Sequence, residues 1–174
     1  MIERNGLMIV DNPRLIDDVV RGVLDTQDAV TVGIPTEAIR GQFSHTVQAP
    51  IILRKDFPVN ATVVGARLVP HGDAHELQML GQATVNDGEV IVDFAVGVVN
   101  GDKGLRTVTS HIRSQGNRLA KIAIGQISSG ILLAPGKFVG AWLDNRLATK
   151  ARTTDIRVGQ NDRAGLILEF QRAA

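Results

Sequence analysis

The chain has 174 residues, 44% hydrophobic and 21% charged, a composition typical of a single globular domain over residues 1–174 and not of a disordered chain. The formal net charge is only +1, and the aromatic residues are five Phe and one Trp with no Tyr. This balance does not support nucleic-acid binding, which needs a concentrated basic patch and stacking aromatic rings. The absence of Cys excludes disulfides, thiolate metal sites and a Cys nucleophile.

Apolar periodicity organises the first 47 residues into short elements. A capping Asn12 followed by Pro13 is typical of a helix start, and the apolar residues behind it recur at helical spacing. Ile39, Phe43 and Val47 are spaced by four and indicate a second helix with a narrow apolar seam. The predicted elements are an edge strand at 7–10, a helix at 13–25, a strand at 29–34 and a helix at 36–47.

The strongest signal in the chain is a hairpin over residues 77–99. Two runs of alternating apolar residues flank the sequence Asn86-Asp87-Gly88, and Asp-Gly permits the positive φ values that tight hairpin turns need. Side chains alternate between the two faces of a strand, so each run places one apolar row on the core side. On the second strand that row is Val90, Val92, Phe94, Val96 and Val98.

The remaining pattern continues as strands with one further helix. The predictions are strands at 51–54, 61–69 and 105–112, a strand followed by a looser segment at 117–133, a helix at 137–149, and a closing hairpin that pairs 156–158 with 166–170. Together these elements predict an α+β fold, with a long curved antiparallel sheet wrapped against two or three helices.

One short run, residues 71–76, is dense in possible metal ligands. Carboxylates and imidazoles can hold a divalent ion, but the spacing matches neither a zincin nor an EF-hand motif, so a solvated turn is favoured over a metal site. The residues concerned are His71, Asp73, His75 and Glu76.

No catalytic signature is present. Neighbouring Ser and His residues occur at 44–45 and 110–111, but neither Ser lies in a G-x-S-x-G elbow, and adjacent residues on a strand face opposite ways. No phosphate-binding or dinucleotide-binding loop is found, so no cofactor is predicted. A hydrolase or metal enzyme that uses His71, His75 or His111 is an alternative without a motif behind it.

An apolar groove between sheet and helix is the main functional expectation. Such a groove suits an acyl chain, because burying apolar surface gains about 25 cal/mol per Å². The same side chains would fill a solid core if no groove existed, and the sequence leaves both arrangements open. The predicted ligand-binding residues are Phe43, Val92, Phe94, Val96, Phe138, Val139, Trp142 and Leu143.

A family resemblance rests on two segments and on the order of the elements. The run from Ile34 to Ile39, with Pro35 and Thr36 opening a helix, precedes long amphipathic strands, the helical segment 138–143 and a closing hairpin. Over residues 29–171 this order resembles small tubular lipid-binding (TULIP-like) domains. The resemblance implies a lipid or other apolar ligand inside a rolled sheet and no catalytic residues, and many such domains are exported.

A second class of function is an interaction module. Long strands with Val and Thr on their second face could pair between subunits, in a homo-oligomer or in a phage-like assembly. The sequence contains neither a signal peptide nor an apolar run long enough for a transmembrane helix. A cytoplasmic protein is therefore expected, with an exported protein as the alternative if a leader has been removed.

Overall fold

The structure, a computed structural model, describes residues 3–4, 6–40, 44–48, 58–85, 90–114, 116–144, 147 and 151–173. Within these ranges the chain is an α+β protein whose strands form two five-stranded sheets. The predicted fold class is thus confirmed at the level of α+β with mainly antiparallel sheet. The strands divide between two sheets because the two ends of the chain pair with each other, which a local pattern does not reveal.

The elements in chain order are β1 (Glu3–Arg4), β2 (Leu7–Ile9), a 3₁₀ turn (Pro13–Leu15), α1 (Ile16–Leu24), β3 (Ala29–Ile34), α2 (Thr36–Ile39), β4 (Ser44–Gln48), β5 (Pro58–His71), β6 (Ala74–Val85), β7 (Val90–Gly101), β8 (Gly104–Ser114), α3 (Arg118–Ile127), a π-helical turn (Ser128–Leu132), α4 (Pro135–Asp144), β9 (Ala151–Asn161) and β10 (Ala164–Arg172).

The first sheet, called here the terminal sheet, has the strand order β1-β2-β3-β10-β9. β2 and β3 are parallel and joined through α1, the connection that parallel neighbours require, whereas the other pairs are antiparallel. α1 packs on β3, β9 and β10. Its Ile16, Val20 and Leu24 are buried, and Asp17 and Asp18 lie in its first turn, where the helix dipole favours negative charge.

The second sheet, called here the meander sheet, joins β4 to β8 in sequence order, and every pair is antiparallel. It contains the predicted hairpin, in which Leu77 pairs with Val98 and Val85 with Val90. The hairpin prediction is confirmed for both strands, while the predicted turn at 86–88 lies outside the described residues. α3 packs on β5, β6 and β7, and α4 packs on β4 and β8.

The two sheets share one apolar core and are joined by a polar contact. The Asn100 side chain accepts a hydrogen bond from the Val158 N–H at 2.7 Å and donates one to the Val158 carbonyl at 3.0 Å, so β7 is tied to β9. α2 also contacts both β5 and β10. A single cluster of buried apolar side chains runs from α1 and the terminal sheet through the meander sheet to α3 and α4.

Two sequence predictions are wrong. The helix predicted at 36–47 ends at Ile39, and Ser44–Gln48 is a strand. Hydrogen bonding of this strand to β5 outweighs the weak helical preference indicated by three apolar residues spaced by four. The segment 117–133 is helical instead of a strand followed by a loose segment. There the Asn117 side chain accepts a hydrogen bond from the Ala120 N–H at 2.9 Å and caps α3.

The other elements agree with the sequence pattern. β2, α1, β3, β5 and β8 lie where strands or helices are predicted, and β9 and β10 form the closing hairpin. The last helix begins at Pro135 and extends to Asp144. The predicted strand at 51–54 falls outside the described residues. None of the described helices alone is long and apolar enough to span a membrane; the segments Arg118–Leu132 and Pro135–Leu143, bent by 87°, reach that length and composition only as a pair.

Candidate functional site

A small apolar pocket lies between the meander sheet and the two C-terminal helices. It has a volume of about 190 Å³. β5 supplies one wall, and the end of α3, the π-helical turn and α4 supply the other. The lining residues are Val59, Ala61, Gln126, Ile127, Gly130, Ile131, Lys137, Phe138 and Ala141.

Small residues meet at this pocket from two distant parts of the chain, β5 and the C-terminal helical region. Ala61 on β5, Gly130 in the π-helical turn and Ala141 on α4 all line the pocket. A Cβ atom placed on Gly130 would have no atom within 4 Å. The π-helical turn, with Leu133 N–H donating to the Ser128 carbonyl at 2.8 Å, widens the backbone at this point. Such turns often occur at functional sites.

The lining of the pocket is mostly apolar, and two of its nine residues are polar. These are Lys137, which is exposed, and Gln126, which is half-buried. Ile127, Ile131 and Phe138 are buried and provide the apolar interior. The arrangement can therefore bury an apolar group and place a cation and an amide next to whatever polar part remains outside.

Seven of the eight predicted ligand-binding residues lie in the core, and one of them lines this pocket. Phe138 is that residue, while Trp142 lies one helical turn further along α4. Phe43 lies outside the described residues. The remaining predicted residues are buried, and their contact with a ligand stays a prediction: Val92, Phe94, Val96, Val139 and Leu143.

Sequence reasoning missed a buried carboxylate on the opposite face of the meander sheet. Glu76 is only 5% exposed, and its Oε1 accepts hydrogen bonds from Thr109 Oγ1 at 2.9 Å and from Gln78 Nε2 at 3.1 Å. Gly97 on β7 makes room for it, since a Cβ atom there would overlap the carboxylate. The sequence contains one signal for this packing: Gly97 is an isolated glycine within a strand pattern, and such a glycine often marks a site where another group approaches the backbone closely.

The three histidines considered for catalysis lie on different strands of the meander sheet, His71 on β5, His75 on β6 and His111 on β8. His71 Nδ1 lies 3.6 Å from Glu76 Oε2, but His71 is exposed at the end of β5. His75 is half-buried, and His111 is exposed on β8, where Ser110 faces the other side of the strand. In the described ranges, no three His, Asp or Glu side chains are grouped so as to hold a metal ion.

Comparison of the chain with protein-family models, with curated proteins and with solved structures finds no match.

Proposed function

We propose that this chain is a non-enzymatic binding protein that holds a lipid or another amphipathic ligand by its apolar end. The pocket between β5, α3 and α4 carries the proposal, because its interior is apolar and its volume is about 190 Å³. An apolar cavity of roughly 150 Å³ takes up benzene, so this pocket has room for a ring of that size or a short alkyl chain.

The size of the pocket limits the ligand. Sites that bury a drug-sized molecule have volumes of roughly 300–1,000 Å³, so a long acyl chain would be only partly enclosed. Lys137, an exposed lining residue, favours a ligand whose exposed end is anionic, because an ammonium group attracts a carboxylate or phosphate. The tubular lipid-binding resemblance, with a sheet curved around helices, agrees with this class of ligand and is part of the proposal.

The experiment is a calorimetric titration with octanoate and with 1-octanol, which share the alkyl chain and differ in charge. We expect both to bind and octanoate to bind more tightly. Ala61→Leu should abolish binding of both, because the new side chain would occupy the pocket. Lys137→Met should lower the affinity for octanoate and leave the affinity for 1-octanol unchanged. Absence of binding by either probe to the parent protein would contradict the proposal.

A second candidate, an interaction module, is favoured by one observation. Leu80 and Ile91 are each 56% exposed, and Val64 is also exposed, all on strands of the meander sheet. Leu80 and Ile91 lie on its outer face, since Leu80 pairs with Ala95 and Ile91 lies four residues away from Ala95 on the same strand. On this proposal the chain self-associates through that face, and Leu80→Glu should convert an oligomer into a monomer in light scattering. A parent chain that is monomeric at high concentration would exclude it.

A further inference from the structure

A second and larger cleft lies where the terminal sheet faces β5. Its volume is about 820 Å³, within the range of small-molecule sites. β2 and the segment that opens α2 line one side, β5 lines another, and the turn between β9 and β10 closes the end. The Thr36 N–H donates to the Asp162 carbonyl at 2.8 Å, which fixes α2 against that turn.

The cleft has an apolar wall. Leu7 and Ile9 of β2 lie there together with Ala66 and Ala164. Gly33 on the neighbouring strand admits the two large side chains, since a Cβ atom on Gly33 would lie 2.9 Å from Ile9 Cδ1. The wall can therefore take the apolar body of a ligand.

Arg67 is held in position at the cleft by a chain of hydrogen bonds. Its Nε donates to Gln78 Oε1 at 2.7 Å, and Gln78 Nε2 donates to the buried Glu76 at 3.1 Å. This leaves the terminal guanidinium nitrogens of Arg67 without a partner among the described residues. Arg163, at the tip of the β9–β10 turn, also lines the cleft with its guanidinium unpaired in the described part of the chain. Guanidinium groups recognise carboxylates in two-bond geometry.

Thr36 also lines the cleft, and it has a buried hydroxyl without a partner among the described residues. Thr36 is only 4% exposed, and its Oγ1 makes no hydrogen bond within the described residues. A Cβ atom on Gly165 would overlap this oxygen, so the glycine lets β10 pack directly against it. Buried hydroxyls are normally paired, but this oxygen has almost no accessible surface, so it is a buried unpaired group at the edge of the cleft and not a contact for a ligand.

Carboxylates complete the lining and decide the class of ligand. Asp11, Glu37 and Asp162 line the same cleft as the two guanidinium groups, and no ion pair joins these residues within the described ranges. A purely anionic ligand would meet three like charges and a purely cationic ligand two. A ligand that carries both charges can place each one beside an opposite partner.

We propose that this cleft binds a small zwitterionic ligand with an apolar body, in which a carboxylate contacts Arg67 and Arg163 and an ammonium group contacts the opposing carboxylates. The site is separate from the apolar pocket, and neither proposal depends on the other.

The test is a calorimetric titration with three probes: the dipeptide leucyl-leucine, its N-acetyl form without the amine, and its C-terminal amide without the carboxylate. The dipeptide should bind about tenfold or more tightly than either derivative, since each lost charge-assisted hydrogen bond costs at least that factor. Equal affinities for the three probes, or no binding of the dipeptide, would overturn the proposal.

Variants locate the site. Arg67→Met should lower the affinity for the dipeptide about tenfold or more and leave the affinity for the amide unchanged, because Arg67 contacts the carboxylate that the amide lacks. Arg106→Met is the control: it removes an exposed Arg outside the cleft and should leave the affinity for the dipeptide unchanged. Ala61→Leu, which fills the apolar pocket, should leave dipeptide binding intact. If Arg67→Met and Arg106→Met behave alike while both melt as the parent does, the cleft is not the site.

Discussion

Ala61 and Ala83 are direct cross-strand partners, and both are buried, yet only Ala61 lines the apolar pocket. Replacing each in turn by Leu therefore places the same side chain on the same face of the sheet, once beside a void and once in a filled core. At Ala61 three added carbon atoms gain about 0.8 kcal/mol each on burial, and fixing the Leu side chain costs about 0.5–1 kcal/mol. The net expectation is that Ala61→Leu stabilises the protein by about 1–2 kcal/mol.

At Ala83 the same change overpacks the core, which costs about 1–3 kcal/mol. A change of 1 kcal/mol moves the melting temperature of a chain this long by about 2–4 °C. In a thermal unfolding experiment Ala61→Leu should therefore melt a few degrees above the parent and Ala83→Leu several degrees below it. Equal destabilisation by the two substitutions would show that no void adjoins Ala61.

Three further predictions concern the rest of the fold. Gly97→Ala should destabilise the protein by about 2–3 kcal/mol in urea unfolding, because the new Cβ would displace the buried Glu76 carboxylate; an unchanged midpoint would show that the carboxylate lies elsewhere. Phe94→Asp should cost several kcal/mol and abolish the cooperative thermal transition, since Phe94 is buried and a charge there would be unpaired; a parent-like melt would contradict this burial. Asn100→Ala should cost about 1–3 kcal/mol in chemical denaturation, because it leaves the Val158 peptide group without its side-chain partner; a variant as stable as the parent would show that this link between the sheets contributes nothing.

The hairpin could be predicted from sequence because its information is local. A period of two over many residues, interrupted by Asp-Gly, specifies two antiparallel strands and their buried face. Val92, Phe94 and Val96 are buried as the alternation predicts. α1 could also be predicted from the sequence, because its apolar stripe and the Asn12-Pro13 start signal indicate the same helix.

α3 was mispredicted although it carries usable signals. Asn117 is a capping residue, and the buried Ala120, Ala123 and Ile127 fall at helical spacing. The alternation of Ile122 and Ile124 competes with that pattern, and the two half-buried residues flank the stripe instead of forming it. Two of these three buried residues are Ala, which contributes little to a hydrophobic periodicity. The helical pattern is therefore weak in the sequence.

The terminal sheet and the apolar pocket could not be predicted, for a shared reason. β3 and β10 pair although they are far apart in sequence, and neither strand contains a local pattern that identifies the other as its partner. The pocket is defined by small residues, with Ala61 and Gly130 brought together by the fold and far apart in sequence. A void depends on which atoms are absent from a packed interior, and a one-dimensional pattern of apolar residues does not report that.

The most direct measurement is an NMR titration of isoleucine δ1-methyl groups with octanoate. Ile127 and Ile131 line the pocket, while Ile16 on α1 and Ile34 on β3 are buried and do not line it. We expect the resonances of Ile127 and Ile131 to move in a saturable way, and those of Ile16 and Ile34 to stay in place. Shifts of all four together, or of none, would contradict the binding of an apolar group between β5, α3 and α4.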